Sequence, residues 1–400
     1  MSPRQYEGDF LLKQSPRFLA AFGASIVLTV GSATAAFAGT GAVHTAAPAA
    51  AVAQTATRTA PATGDQAADR FGIDRSPARA AVLRAIDPGD YQCGPTDFDT
   101  YIDGLINGLS KDELKFLVAH TEMLDIPTYD ALLYGSPTDS RYALRSDYRT
   151  QLTHTFRDVK RFWDIQSGDI QLMSMHGSIM GDPAAVSRVL QLPLGEPFGQ
   201  SPAEADQNAK EIAAAVDSGM FDHGNNPLFT LNAFAFTAEG DPDPLVKGVP
   251  DKLIFGDGIV DALNAMGIGD VGPRAVMGHE FGHHVQFEDN LFESPLTGPE
   301  ATRRTELMAD AFGTYFATHA RGLSLNTKRV LQAEKTFYEV GDCAFTNDGH
   351  HGTPNQRLRS SAWAAGVADA ARPQGKILPS LTFADMFEKE LPVIVAPDAS

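Results

Sequence analysis

Hydrophobic positions follow different rhythms along this chain, and each change of rhythm marks a new element. Between residue 69 and about residue 165 they recur at helical intervals. SKDELKFLVAHTEML opens on a capping box, Ser110 with Glu113, and sets Leu114, Leu117, Val118 and Leu124 along one side. RDVKRFWDI continues the helical character. DIQLMSMHG (169–177) alternates as a strand does, FTLNAFAF (229–236) reads as another, and KLIFG (252–256) as a short third. Two longer helices follow. The first runs from about residue 273 to 288, with Pro273 suited to its first turn and Asp270 near the positive end of its dipole. The second runs from about residue 299 to 321, entered through Thr297-Gly298-Pro299-Glu300 and stopped at Gly322. After about residue 372 the chain reads as a Pro-rich tail with no recognisable element. This succession predicts an α+β fold, with a small sheet packed beside the first long helix and a mainly helical N-terminal region.

The beginning of the chain follows no structural rhythm. LAAFGASIVLTVGSATAAFA is preceded by Arg4, Lys13 and Arg17 and ends on Ala36-Phe37-Ala38, a small-residue cleavage signal. A basic start, an apolar run and such an exit predict a secretory signal peptide over 1–38 and a secreted product. No cysteine follows the run, so a lipid anchor is unsupported, and no later stretch is long and apolar enough to span a bilayer. Residues 39–68 are almost all Ala, Thr, Pro and Gly, cannot bury an apolar face, and read as a disordered spacer. The expected organisation is therefore leader (1–38), spacer (39–68), helical subdomain or propeptide (69–165), a domain over 166–372, and a tail (373–400).

Composition narrows the function classes. The formal net charge of −18 comes without any Lys/Arg stripe, which argues against a nucleic-acid partner. Only two cysteines occur, Cys93 and Cys343. In an oxidising compartment they are expected to pair, and neither sits in a C-x-x-C that would hold zinc through sulfur.

The chemistry concentrates in HEFGHH (279–284). Histidines at i and i+4 lie one turn apart on one helix face, so His279 and His283 can reach the same cation. Glu280, between them, can reach a metal-bound water without ligating the metal. The bare pattern also occurs on ordinary polar helices, and the next helix argues against that reading. TELMAD supplies a carboxylate at Glu306 as third ligand and a second at Asp310, one turn on, to hold the far nitrogen of His279. Asp289 is a weaker choice, because Gln286 stands where a glycine would have to turn the chain back. His284 points about 100° away from His283 and packs behind the site. For a donor to a developing oxyanion, the loop and helix start GDCAFTNDGHHGTPNQR offers His351 and Arg357, with His350 less favoured and Tyr315 half a turn off the Glu306 face.

At HEFGHHVQ (279–286), ELMAD (306–310) and HGTPNQR (351–357), with Gly341-Asp342 before the last, the chain resembles a family of bacterial neutral zinc metallopeptidases. KLIFGDGIVDAL (252–263) adds weaker support, and the likeness covers roughly residues 250–370. It implies a zincin-like fold, Zn²⁺ on His279, His283 and Glu306, and Glu280 as catalytic base, and it favours His351 as a functional residue. Met308 and Ala311 depart from the family pattern outside the ligand set. The expectation is a secreted zinc metallopeptidase acting on a peptide or protein, with one strand edge open to an extended substrate. A zinc-binding surface protein without activity, and a zinc amidase acting on a cell-wall crosslink, are the alternatives.

Overall fold

The structure is a computed structural model, and it describes residues 94–342, 349–371 and 375–398. The leader, the spacer and both cysteines, with their expected pairing, lie outside the described residues. Within them the chain forms twelve α-helices and one three-stranded sheet. The larger of two apolar clusters runs from Phe98 to Ile394, so the helices that precede the sheet share it with those that follow, and a smaller one gathers around Phe337 and Ala317. No helix among the described residues is long and apolar enough to cross a membrane.

The chain enters through α1 (Asp97–Gly108), α2 (Lys111–Ala119), α3 (Ile126–Tyr134) and α4 (Ser146–Phe162). The Ser110–Glu113 capping box forms as the sequence predicts, but the apolar side does not. Leu117 is buried, whereas Leu114 is 44% and Val118 52% exposed. The cause is Glu113, whose Oε1 also accepts a hydrogen bond from the Phe221 amide at 2.7 Å and so turns the 113/117 stripe inward. The helix stops at Ala119, and Thr121–Leu124 continues as a 3₁₀ turn.

The sheet comprises β1 (Gln171–Met175), β2 (Ala233–Phe236) and β3 (Lys252–Gly256), in the order β1-β3-β2. β3 is central, parallel to β1 and antiparallel to β2. Two further helices, α5 (Pro183–Leu190) and α6 (Pro202–Asp217), lie between β1 and β2, and α7 (Asp257–Ala265) follows β3. The second predicted strand forms only in its last four residues, because Pro227–Thr230 closes into a 3₁₀ turn led by a proline. All four residues of β2 are buried, so the edge on that side is covered rather than open. Lys252 is buried in the central strand, and its ammonium donates to the carbonyls of Ala131, Leu132 and Gly135 at 3.1, 2.6 and 2.8 Å. A cation there satisfies the carbonyl end of α3 and ties it to the sheet.

Two long helices form the centre of the C-terminal half: α8 (Gly272–Glu288) and α9 (Pro299–Thr318). α8 is buried on every side over most of its length, which is why its sequence shows no amphipathic stripe. Its closeness to α9 depends on residues without side chains. A Cβ at Gly313 would sit 2.7 Å from the His279 amide nitrogen, and one at Gly282 would sit 3.1 Å from the Ala309 Cα. α10 (Thr327–Glu339) and α11 (Pro354–Ala371) pack over this pair. The Pro-rich tail, uninformative in the sequence, contains α12 (Ser380–Ile394), which buries Phe383, Phe387, Leu391 and Ile394. Those positions recur at helical spacing, a signal that the flanking prolines obscure. Trp163, after α4, joins the halves by packing against Phe312 at 4.9 Å and Phe383 at 5.9 Å between ring centroids.

The same substitution should have opposite effects at two glycines. Gly313→Ala places a methyl against the α8 backbone and should cost about 1–3 kcal/mol in chemical unfolding. Gly366→Ala, where a Cβ meets nothing within 4 Å on α11, should stabilise by about 0.5–1 kcal/mol. Equal effects would mean that the α8–α9 contact is not tight.

Candidate metal centre

The helical repeat of α8 sets His279 and His283 one above the other, and the close approach of α9 brings Glu306 to face both. The ligand atoms of these three residues lie within 4.8 Å of one another. His279 Nε2 is 3.1 Å from His283 Nε2 and 3.4 Å from Glu306 Oε2, and His283 Nε2 is 3.4 Å from Glu306 Oε1. All three side chains are buried, at 5%, 5% and 2% exposure. The cluster can hold a metal ion.

The groups behind the histidines decide what the cluster can accept. Arg357 on α11 donates to both oxygens of Asp310, at 2.7 and 2.6 Å, a bidentate pair that fixes the carboxylate in place. Asp310 Oδ1 lies 2.8 Å from His279 Nδ1, which must therefore donate to it. His283 Nδ1 lies 2.8 Å from Gln286 Oε1, and the same glutamine donates from its Nε2 to the Thr305 carbonyl at 2.8 Å. With both Nδ1 atoms engaged, neutral rings turn their Nε2 lone pairs toward each other and toward a carboxylate. Something positive has to stand among them.

In the metal-free protein that charge is a proton. Burial opposes a charged His279 ring, but hydrogen bonds to Asp310 and Glu306 and the negative charges of Asp310 and Glu280 outweigh it, holding its pKa well above the usual value. Burial likewise opposes a charged Glu306, yet the facing histidines push its carboxyl far below the ordinary range. Glu280 is buried beside them, and its charge is among those that raise His279.

The other residues singled out in the sequence fall into place around this core. His351 donates its amide to Asp342 Oδ2 at 2.7 Å, and its Nδ1 lies 3.1 Å from the same oxygen. A positive charge on His351 is among the effects that lower the Glu306 carboxyl. His350 is buried, with Nδ1 2.6 Å from Asp342 Oδ1. Burial would raise the Asp342 carboxyl, but the two histidines together hold it well below its usual range. Arg357, weighed as an oxyanion donor, is committed to Asp310 and positions His279 instead. The Tyr315 hydroxyl accepts from the Leu378 amide at 3.1 Å, away from the metal ligands. Asp289 ends α8 and does not join the cluster. His284 points behind, its Nε2 donating to the Lys252 carbonyl at 3.0 Å and so joining α8 to the sheet. Sequence reasoning passes over Gln286 and Asp342. Gln286 follows His283 by three positions, the spacing that puts its side chain beside that ring.

Comparison of the chain with protein-family models, with curated proteins and with solved structures gives no match in any of the three.

The pKa shifts set the pH dependence of stability and binding. The raised His279 pKa contributes stability to the metal-free protein that is complete below 6.5 and lost as pH rises through the raised value. The lowered Glu306 pKa contributes above 4.5 and is lost as pH falls through its folded value. At this site the metal-free protein should therefore be most stable between pH 4.5 and 6.5. A metal ion has to displace the His279 proton, so the rise in unfolding temperature on adding zinc should grow with pH. Thermal unfolding with and without zinc across this range measures it, and a rise that grows toward acid would contradict the assignment.

Proposed function

We propose that this chain is a secreted zinc-dependent peptidase with a zincin-like arrangement of its central helices. The observation that carries the reading is Glu280, a buried carboxylate placed between two histidines that share a third ligand from the next helix. The likeness of the three motifs to bacterial neutral zinc metallopeptidases supports it, as does the ligand spacing. Ligands bound tetrahedrally at about 2.0–2.1 Å from zinc lie about 3.3 Å apart, and the three separations here are 3.1, 3.4 and 3.4 Å. Two imidazoles and a carboxylate also suit zinc better than a hard cation such as calcium or magnesium.

His279, His283 and Glu306 would hold the ion. Zinc in such a site acts as a Lewis acid that makes water nucleophilic near neutral pH. Glu280 takes the proton of the attacking water and returns it to the leaving amine, a role that needs an ionised carboxylate beside the ligands. Asp342 accepts from the Nδ1–H of His351, so the ring offers an Nε2–H donor to the developing oxyanion only in its doubly protonated, imidazolium form. Arg357 acts one step further back, fixing Asp310 in place and with it His279 in the tautomer that would bind metal.

Glu280→Gln preserves the shape of the side chain and removes the base. Peptide hydrolysis by the purified protein should fall by about 10²-fold or more, with zinc content and unfolding temperature unchanged. Equal hydrolysis by both proteins would sink the peptidase reading. Zinc binding with no hydrolysis of peptides by the wild type would favour the amidase or the inactive zinc-binding protein.

A further inference from the structure

We infer that Gln286 is a positioning residue that selects the metal-binding tautomer of His283 and ties that ligand to the helix carrying Glu306. The inference rests on the metal-centre reading above and adds a residue to it.

The two histidines are held by different means. His279 is backed by a carboxylate from α9 that Arg357 clamps in place. His283 is backed by an amide from its own helix, and an amide can face a ring in either of two orientations. Oε1 toward Nδ1 makes Nδ1 the donor and leaves Nε2 its lone pair. The flipped amide would present NH₂ to Nδ1, place the ring proton on Nε2, and remove the ligand.

Thr305 decides between them. Its carbonyl lies 2.8 Å from the Gln286 Nε2, so the flipped amide would set two oxygens against each other in a buried site. Gln286 is fully buried, where no solvent relieves such a clash. Thr305 directly precedes Glu306, so a single side chain joins the second histidine ligand to the backbone next to the third. The distance between α8 and α9 is thus coupled to the orientation of His283. A neutral amide achieves this without another negative charge beside Glu280, Glu306 and Asp310.

The test is zinc affinity, measured by chelator competition for wild type, Gln286→Met and Gln286→Glu, with metal-free unfolding recorded for each. Gln286→Met is close in volume and has no oxygen or nitrogen to offer. It should weaken zinc binding about 10–100-fold, and it should also lower the metal-free unfolding temperature, because the Thr305 carbonyl and His283 Nδ1 lose their buried partner. Gln286→Glu keeps an acceptor for His283 Nδ1 and, protonated on the oxygen that faces Thr305, a donor to that carbonyl, so it should recover affinity to within about tenfold of wild type. Wild-type affinity in Gln286→Met overturns the inference, and so does equal weakening in both variants, which would mean that volume or packing is what matters. Should Gln286→Met fail to fold, Gln286→Glu decides alone: affinity within tenfold of wild type supports the role, and a greater loss overturns it. A wild-type protein that takes up no zinc overturns the metal centre itself, a failure distinct from the other outcomes.

Discussion

Everything at this site depends on how closely α8 and α9 approach. Gly278, Gly282 and Gly313 line their contact, and a methyl at any of them would meet the opposing helix at 2.7 to 3.1 Å. Side-chain-free contact lets Glu306 reach across to both histidines with a short, well-ordered side chain. A wider helix pair would leave the ligands on separate faces, each an ordinary buried polar group in search of a partner. The glycines do little for helix propensity, since each costs about 1 kcal/mol against alanine in a helix interior. Their value lies in the distance they permit.

The rest of the fold reads as support for that pair. α11 delivers Arg357 to Asp310, and α10 sets Phe337 against the His279 ring at 5.8 Å. On the other side, His284 fastens α8 to the central strand through the Lys252 carbonyl, while the Lys252 ammonium caps α3. One residue of β3 therefore holds elements on two sides of the sheet. The Trp163 cluster closes the far end of α9 against α4 and α12. A buried polar site is costly unless every group around it is satisfied, and these elements supply the partners.

Much of this is legible in the sequence where a single helix carries the signal. Strand β3 forms over the residues its apolar run marks, and the start of α9 and the length of α8 follow from proline, glycine and periodicity. The i, i+4 spacings alone are enough to pair His279 with His283 and Glu306 with Asp310. What cannot be read is the relation between distant segments. Leu114 and Val118 face outward because Glu113 bonds to a turn more than a hundred residues away. Arg357 has the chemistry of an oxyanion donor, and only the packing of α11 on α9 shows that it serves Asp310. α12 is written in its spacing of Phe383, Phe387, Leu391 and Ile394, and is masked because the surrounding prolines suggest a tail.

Glu306 and Asp310 show why spacing alone leaves function open. They are the same chemical group one helical turn apart, both buried, and their environments send them to different tasks. Asp310 meets a guanidinium on both oxygens and becomes a fixed acceptor for a ring nitrogen. Glu306 meets two ring nitrogens and no permanent cation, so its charge is available to whatever occupies the centre. Taken with Glu280, the buried carboxylates carry three negative charges, and Arg357 offsets one. Two remain, of which the His279 proton offsets one in the metal-free protein, in a buried site with Phe337 packed on the His279 ring, where unbalanced charge is expensive. A divalent ion between His279, His283 and Glu306 removes that imbalance and leaves Glu280 ionised beside it. Charge balance in the fold and a competent base in the proposed reaction thus call for the same occupant.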